Sequence, residues 1–245
     1  MSNSTAFDYD SLPIGYYDEI FHRCRGVQSK WHHLKFARVR DLMGKPERHL
    51  DIGCGPGTFI GTLTGEFSST GIDIAESQLD YARKHYGTRQ RQFVCVTEQN
   101  LPFDDSSFDC ITVIELIEHL TVEQTAALMS EVHRALRPAG RVIITTPNYG
   151  SVWPMVELAL NRLGSIDYSA QHINRFMKAR FYDLFAQAGF KDPQISAYQF
   201  IAPFAAAFGW RVADLINAIE PTWLTSRFGL LLVGLGIKSG NGGAR

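Results

Sequence analysis

Between residues 48 and 146, short apolar runs alternate with longer stretches whose apolar residues recur at helical spacing. The runs predict strands at 48–52, 70–74, 91–96, 108–114 and 140–146, and the stretches between them predict helices at 57–65, 76–86 and 121–136. Strands that alternate with helices imply an α/β fold, a doubly wound and mostly parallel sheet with helices on both faces. The run 141–146 is apolar without alternation, as a strand covered on both faces must be, and 138–140 reads as the turn before it. A helix at 176–188, stopped by Gly189, and strands at 191–198 and 228–237 bring the sheet to seven strands.

The same pattern marks what lies outside this core. Residues 1–47 read as an N-terminal helical cap, with Trp31, Leu34, Phe36 and Val39 on its apolar side. Its basic residues Lys30, His32, His33, Lys35, Arg38 and Arg40 read first as a solvated helix face, with contact to a carboxylate or phosphate as the alternative. Two connections, 149–174 and 200–227, are too long for ordinary loops and read as helical insertions after strands five and six, inside a domain spanning 48–238. The first carries Val152, Met155, Val156, Leu158 and Leu163; the second carries Phe200, Phe204, Phe208, Trp210 and Trp223. Residues 239–245 read as a flexible Gly-rich tail.

Candidate chemistry starts where the first strand ends. Asp51 and Ile52 run into Gly53-Cys54-Gly55-Pro56-Gly57, and a helix follows. Glycines at alternate positions let a ligand lie against the backbone, and the helix N-terminus turns free N–H groups toward it. No Gly-Lys-Ser/Thr follows, which excludes a triphosphate-binding loop, and Ile60 stands where a dinucleotide-binding dehydrogenase would have its third glycine. The second strand ends in Asp73-Ile74, a carboxylate placed to accept from ribose hydroxyls.

The runs D-I-G-C-G-P-G (51–57), G-I-D (71–73) and L-P-F-D-D-S-S-F-D (101–109) resemble the class I S-adenosylmethionine (AdoMet)-dependent methyltransferases. The resemblance implies AdoMet as cofactor. It implies that Asp51 orients the loop or receives the amino group, that Gly53, Cys54, Gly55 and Gly57 approach the methionine part, and that Asp73 with Ile74 holds the ribose. Ile114, which ends the fourth strand, and Glu115, just past it, would flank the cofactor. The family usually sets an aspartate against adenine, whereas here Thr97 and Glu98 stand at that place, so either Glu98 or the Thr97 hydroxyl with backbone groups takes over.

Glu115-Leu116-Ile117-Glu118-His119 brings two carboxylates and an imidazole within one predicted helical turn beside the expected methyl group. Glu115, Glu118 and His119, with His172 from the first insertion, offer a ligand set for a divalent ion of the Mg, Mn or Zn kind. The alternative is that His119 or His172 acts alone as general base on an acceptor hydroxyl. The E-x-x-E-H run resembles both the O-methyltransferases of ubiquinone biosynthesis and the small-RNA 2′-O-methyltransferases.

Lys and Arg number 24 against 25 Asp and Glu, for a net charge of −1, which gives no broad electrostatic footprint for nucleic acid. Cys24, Cys54, Cys95 and Cys110 form no C-x-x-C pair, and residues 1–11 lack the pattern of a signal peptide, so a cytoplasmic protein with reduced thiols is expected. The longest uncharged stretches are too short to span a bilayer, although 200–210 suits peripheral membrane contact. The expectation is methyl transfer from AdoMet to a hydroxyl oxygen of a small or lipid-linked acceptor. Metal-assisted RNA 2′-O-methylation and a non-catalytic AdoMet-binding partner protein remain open at this stage, and oligomeric state is not readable.

Overall fold

Strands of this chain pair in the order β3-β2-β1-β4-β5-β7-β6, a seven-stranded sheet in a computed structural model that describes residues 13–96, 101–163 and 171–240. The strands are β1 (Arg48–Ile52), β2 (Ser68–Asp73), β3 (Arg91–Cys95), β4 (Phe108–Ile114), β5 (Leu136–Pro147), β6 (Gln194–Tyr198) and β7 (Leu231–Ile237). β1 to β5 run parallel to one another, and β7 enters antiparallel between β5 and β6. The sheet is thus doubly wound and mostly parallel. Its order reverses about β1 and β4, and their carboxyl ends open the crevice where such sheets take ligands.

Helices cover both faces. α1 (Tyr16–His22) and α2 (Gly26–Met43) lie on one side, where Phe21, Phe36, Val39 and Met43 pack with Phe59, Ile143 and Val233. On the other, α5 (Val122–Ala135) and α7 (Lys178–Gln187) bury Met129, Val132, Phe181 and Phe185 against Leu50, Ile111, Val113 and Val142. α3 (Thr58–Gly61) and α4 (Glu76–Tyr86) follow β1 and β2, α6 (Trp153–Leu163) follows β5, and α8 (Ala202–Ala205), α9 (Trp210–Ile219) and α10 (Thr222–Phe228) lie between β6 and β7. Among the described residues no helix is long and apolar enough to cross a membrane.

The structure corrects several local expectations. β5 begins at Leu136, directly from α5, and the turn expected at 138–140 lies inside it as a bulge: pairing with β4 jumps from Phe108–Leu136 to Cys110–Arg141, and Ala139 between them is left-handed (φ 63°). α3 is a single turn, far shorter than the helix expected over 57–65. The basic face of α2 is not solvated: Lys30, His32 and Lys35 are buried, because α9 and the end of β4 supply Asp214 and Glu115 as partners.

One polar rung crosses the apolar sheet. His49, fully buried on β1, lies 3.1 Å from Ser69 Oγ on β2 and 2.9 Å from Thr112 Oγ1 on β4, and Thr112 donates to Asp51 Oδ1 at 2.5 Å. Because the Thr112 hydrogen goes to Asp51, Nε2–H of His49 donates to Thr112 and the Ser69 hydroxyl donates to Nδ1. The imidazole is held neutral, its pKa lowered from 6.5 to about 3 by burial. The unfolded chain takes up a proton on His49 as pH falls below 6.5 while the folded chain refuses it until about 3, so stability is lost with falling pH across that window. Denaturant titrations should show His49→Gln losing stability less steeply than the parent, by about 1.4 kcal/mol per pH unit. Equal slopes would refute this account of the rung.

Candidate active site

The loop after β1 is shaped by three left-handed glycines, Gly53 (φ 72°), Gly55 (φ 50°) and Gly57 (φ 75°). Gly53 and Cys54 donate backbone N–H groups to Ile72 O at 2.8 and 3.0 Å, which ties the loop to the end of β2. Asp73 then joins loop and helix: its Oδ2 accepts from Gly55 N at 2.8 Å and its Oδ1 from Ala75 N at 2.9 Å. Each oxygen retains a second lone pair, which is what ribose hydroxyls require. Ile74 beside it is 58% exposed, an apolar surface at the strand end suited to the flank of a nucleoside.

The three glycines do different work. A Cβ on Gly57 would stand 2.8 Å from Phe93 Cε1 and 2.9 Å from Ala82 Cβ, so this glycine is needed for packing. A Cβ on Gly55 would meet nothing within 4 Å. The space above it is open, as a cofactor cradle must be, and AdoMet fits the residues present. Asp51 is buried beneath the loop, and burial first, with the charge of Asp73 adding, pushes its carboxyl up to about 7 against the lowering bond from Thr112. Cys54 is buried in the loop, in the small cluster with Ile60, Leu79, Ala82 and Phe93. Thr97 and Glu98 lie outside the described residues.

Past β4 the chain turns sharply. Ile114 is half-buried, and Glu115 adopts a left-handed conformation (φ 50°), an uncommon one for a residue with a Cβ. Its N–H donates to Thr145 O at 3.0 Å, and a single 3-10 turn, Ile117–His119, follows. The expected helical turn over 115–119 is therefore absent, and Glu115 and Glu118 do not share a face. Glu115 accepts from Trp31 Nε1 at 3.2 Å and pairs with Lys35, both on α2. Burial pulls its pKa upward, but Lys35, His32 and the Trp31 bond outweigh this and hold it low.

Glu118, His119 and His172 do come together, with one ligand atom from each lying within 4.8 Å of the others. The structure leaves Glu115 out of this group, a correction that follows from the left-handed turn. Glu118 is buried and accepts from Thr146 Oγ1 at 3.1 Å; burial, then the Glu115 charge, raises its pKa to about 8. His119 Nδ1 donates to Gln171 O at 3.1 Å, and burial, then His172, lowers its pKa to about 4. His172 Nδ1 lies 2.5 Å from Glu157 Oε1, which also accepts from Tyr149 Oη at 2.7 Å. Above the group, Trp31 of α2 meets Trp153 of α6 with ring centroids 5.5 Å apart.

Sequence reasoning missed Trp31 and Lys35 as partners of Glu115, and Tyr149, Thr146 and Glu157 as supports of the histidine cluster. Glu157 did leave a signal: it is the one acidic residue in an otherwise apolar run. α6 buries Trp153 and Glu157, four apart on one face, and exposes Met155 and Leu158, the reverse of what hydropathy predicts.

The sheet order, the glycine loop and the carboxylate ending β2 are those of the class I AdoMet-dependent methyltransferase fold. A family model described as a methyltransferase domain matches residues 50–144 of this chain. It is 36% identical over 112 residues to an O-methyltransferase of Penicillium expansum (43% of this chain, 40% of the relative). It is 31% identical over 143 residues to the ubiquinone biosynthesis O-methyltransferase of Idiomarina loihiensis (56% of this chain, 57% of the relative). The chain thus spans about half the length of these curated relatives. Among solved structures it resembles a Thermotoga maritima AdoMet-dependent methyltransferase described as a possible histamine N-methyltransferase. That likeness has a TM-score of 0.64 at 20% identity, covers 91% of this chain and 94% of the other, and shows the fold alone.

A cofactor in the space over Gly55 would meet any added methyl group directly. Gly55→Ala is expected to weaken AdoMet binding, read by calorimetry, by at least about tenfold. Its thermal stability should fall only by the roughly 1–2 kcal/mol of left-handed strain. Gly57→Ala is expected to unfold at a clearly lower temperature, since overpacking adds about 1–3 kcal/mol. Unchanged affinity in Gly55→Ala would place the cofactor elsewhere.

Proposed function

We propose that this chain transfers the methyl group of AdoMet to a hydroxyl oxygen of a small or lipid-linked acceptor beside the Glu118–His119–His172 cluster. The observation that carries the reading is that cluster: two imidazoles and a carboxylate converge within 4.8 Å at the rim of β4 and β5, each held by a further group. The named O-methyltransferase relatives support oxygen as the acceptor atom. AdoMet supplies a methyl already activated on a sulfonium, so the protein's task is alignment and removal of the acceptor proton.

The chain provides for both. Trp31 and Trp153 meet beside the rim, and the Lys35–Glu115 pair ties α2 to the end of β4. With Nδ1 donating to Gln171 O, His119 presents Nε2 as its lone-pair nitrogen, able to take the proton of a hydroxyl. Mixed Glu and His donors, each with a supporting hydrogen bond, also fit a divalent ion, with Glu118, His119 and His172 as ligands. Such an ion would lower the pKa of the acceptor hydroxyl.

A lipid-linked acceptor is favoured by the surface of the insertions. Phe208, Leu215, Ile219 and Trp223 of the second are more than half exposed, as are Met155 and Leu158 of the first, and such patches mark interaction sites. RNA is the weaker reading, since a net charge of −1 supplies no field for a polyanion.

Labelled methyl from AdoMet, offered to fractionated cell extract, is expected in the lipid fraction, and label in RNA would overturn the acceptor class. His119→Ala is expected to lower turnover by about 10²–10⁴-fold with AdoMet affinity retained. Loss of activity on chelation and its recovery with Mg, Mn or Zn would assign the cluster as ligands; indifference to chelator would leave the histidines as bases. In flotation the protein should rise with phospholipid vesicles and the double variant Phe208→Asp, Trp223→Asp should stay at the bottom. Parent protein that also stays down removes the membrane from the reading.

A further inference from the structure

Glu157 is a carboxylate buried on a helix that leaves the apolar Met155 and Leu158 in solvent. It is 5% exposed, while Met155 and Leu158 on either side are 72% and 53% exposed. Burying a carboxyl group is costly unless hydrogen bonds replace water, and leaving a hydrophobic side chain in solvent forgoes a further gain. α6 accepts both costs, which asks for a use of the inward carboxylate. Its Oε1 takes two donors, Tyr149 Oη at 2.7 Å and His172 Nδ1 at 2.5 Å, and the Tyr149 oxygen lies 2.9 Å from the same Nδ1. The Tyr149 hydrogen goes to Oε1, so neither oxygen has a proton to give to the imidazole. Nδ1 carries the hydrogen, and in the neutral ring that burial favours Nε2 is then the lone-pair nitrogen.

We propose that Glu157, a carboxylate borne by the first insertion, is the positioning residue that sets the tautomer and ring orientation of His172. The inference rests on the reading that His172 works at the acceptor, and it deepens that reading: the inserted helix is part of the reactive centre as well as its wall. Tyr149 is the second member of the device, since its hydroxyl also donates to Oε1. The ring has little room to turn: His119 lies 5.2 Å away and Trp153 6.5 Å away between ring centroids. An outer carboxylate that orders a histidine in this way raises the basicity of the far nitrogen and its value as a ligand, and loss of such a partner costs about 10–100-fold in affinity or activity.

The test is made on the full chain, with three readouts. In protein labelled with ¹⁵N-histidine, the imidazole spectrum of His172 is expected to show the Nδ1–H tautomer. In Glu157→Gln the amide nitrogen can donate to Nδ1, and the Nε2–H tautomer should appear. That variant should keep its AdoMet affinity and KM, lose about 10–100-fold in kcat, and bind Mn²⁺, followed by electron paramagnetic resonance, about 10–100-fold more weakly. Glu157→Asp, which keeps the carboxylate, should restore part of the kcat. An Nε2–H tautomer in the parent protein, or a Glu157→Gln variant with unchanged tautomer and kcat, overturns the proposal. If the tautomer changes in Glu157→Gln while the parent neither binds Mn²⁺ nor methylates a hydroxyl acceptor, the positioning stands and the proposed function falls.

Discussion

The buried pair of Lys35 with Glu115 is the interaction on which the rim depends. Both side chains are largely withdrawn from water, and a buried pair broken on one side costs about 3–5 kcal/mol because the remaining charge has no solvent. The pair joins α2, an element before the sheet in the chain, to the residue where β4 ends. It also explains why Glu115 can sit in a left-handed conformation. The turn that aims its carboxylate at Lys35 and Trp31 is the same turn that releases the chain into the 3-10 segment bearing Glu118 and His119. The α2 contact and the cluster are consequences of one local geometry.

How much of this was legible in the sequence follows from which forces set each feature. β4 and the middle of β5 are largely apolar because both faces are covered, and hydropathy finds such strands, whereas β1 is buried with only Leu50 and Ile52 apolar and was legible mainly through the glycine loop that follows it. The glycine loop and Asp73 were legible because backbone conformation and a strand-end carboxylate are local requirements. The left-handed Glu115 was not. It is stabilised by Lys35, eighty positions away, and helical spacing was the only local rule available for Glu-x-x-Glu-His. The buried face of α2 failed for the same reason: Lys30 looks solvated until Asp214 and the Trp210 ring arrive from α9. His49 carried no chemical signal, since its partners sit on neighbouring strands: the register sets Ser69 opposite it, and Thr112, opposite Asp51, reaches it from two positions along.

α6 illustrates the limit of pattern reading. A run with five aliphatic residues and one glutamate predicts that the glutamate faces water. The structure turns it inward because His172 and Tyr149 satisfy it there, leaving Met155 and Leu158 outside. Where a local rule fails in this way, the reason is sought in a site and not in the core.

Electrostatics give the rim a common character. Burial raises Asp51 to about 7 and Glu118 to about 8, and it lowers His119 to about 4, so each of these groups is pushed toward its neutral form. Glu115 keeps its charge only because Lys35 answers it. A rim so arranged carries little net charge of its own, and the groups nearest neutrality, Asp51 and Glu118, are both acids at the ends of adjacent strands. Positive charge brought into the crevice favours their ionised forms, and the attraction gained offsets the desolvation that raised them. The sulfonium and amino group of AdoMet, and any divalent ion at Glu118, are charges of that sign. The same burial that pushes Asp51 and Glu118 toward their neutral forms therefore leaves both able to answer a positive charge brought near them.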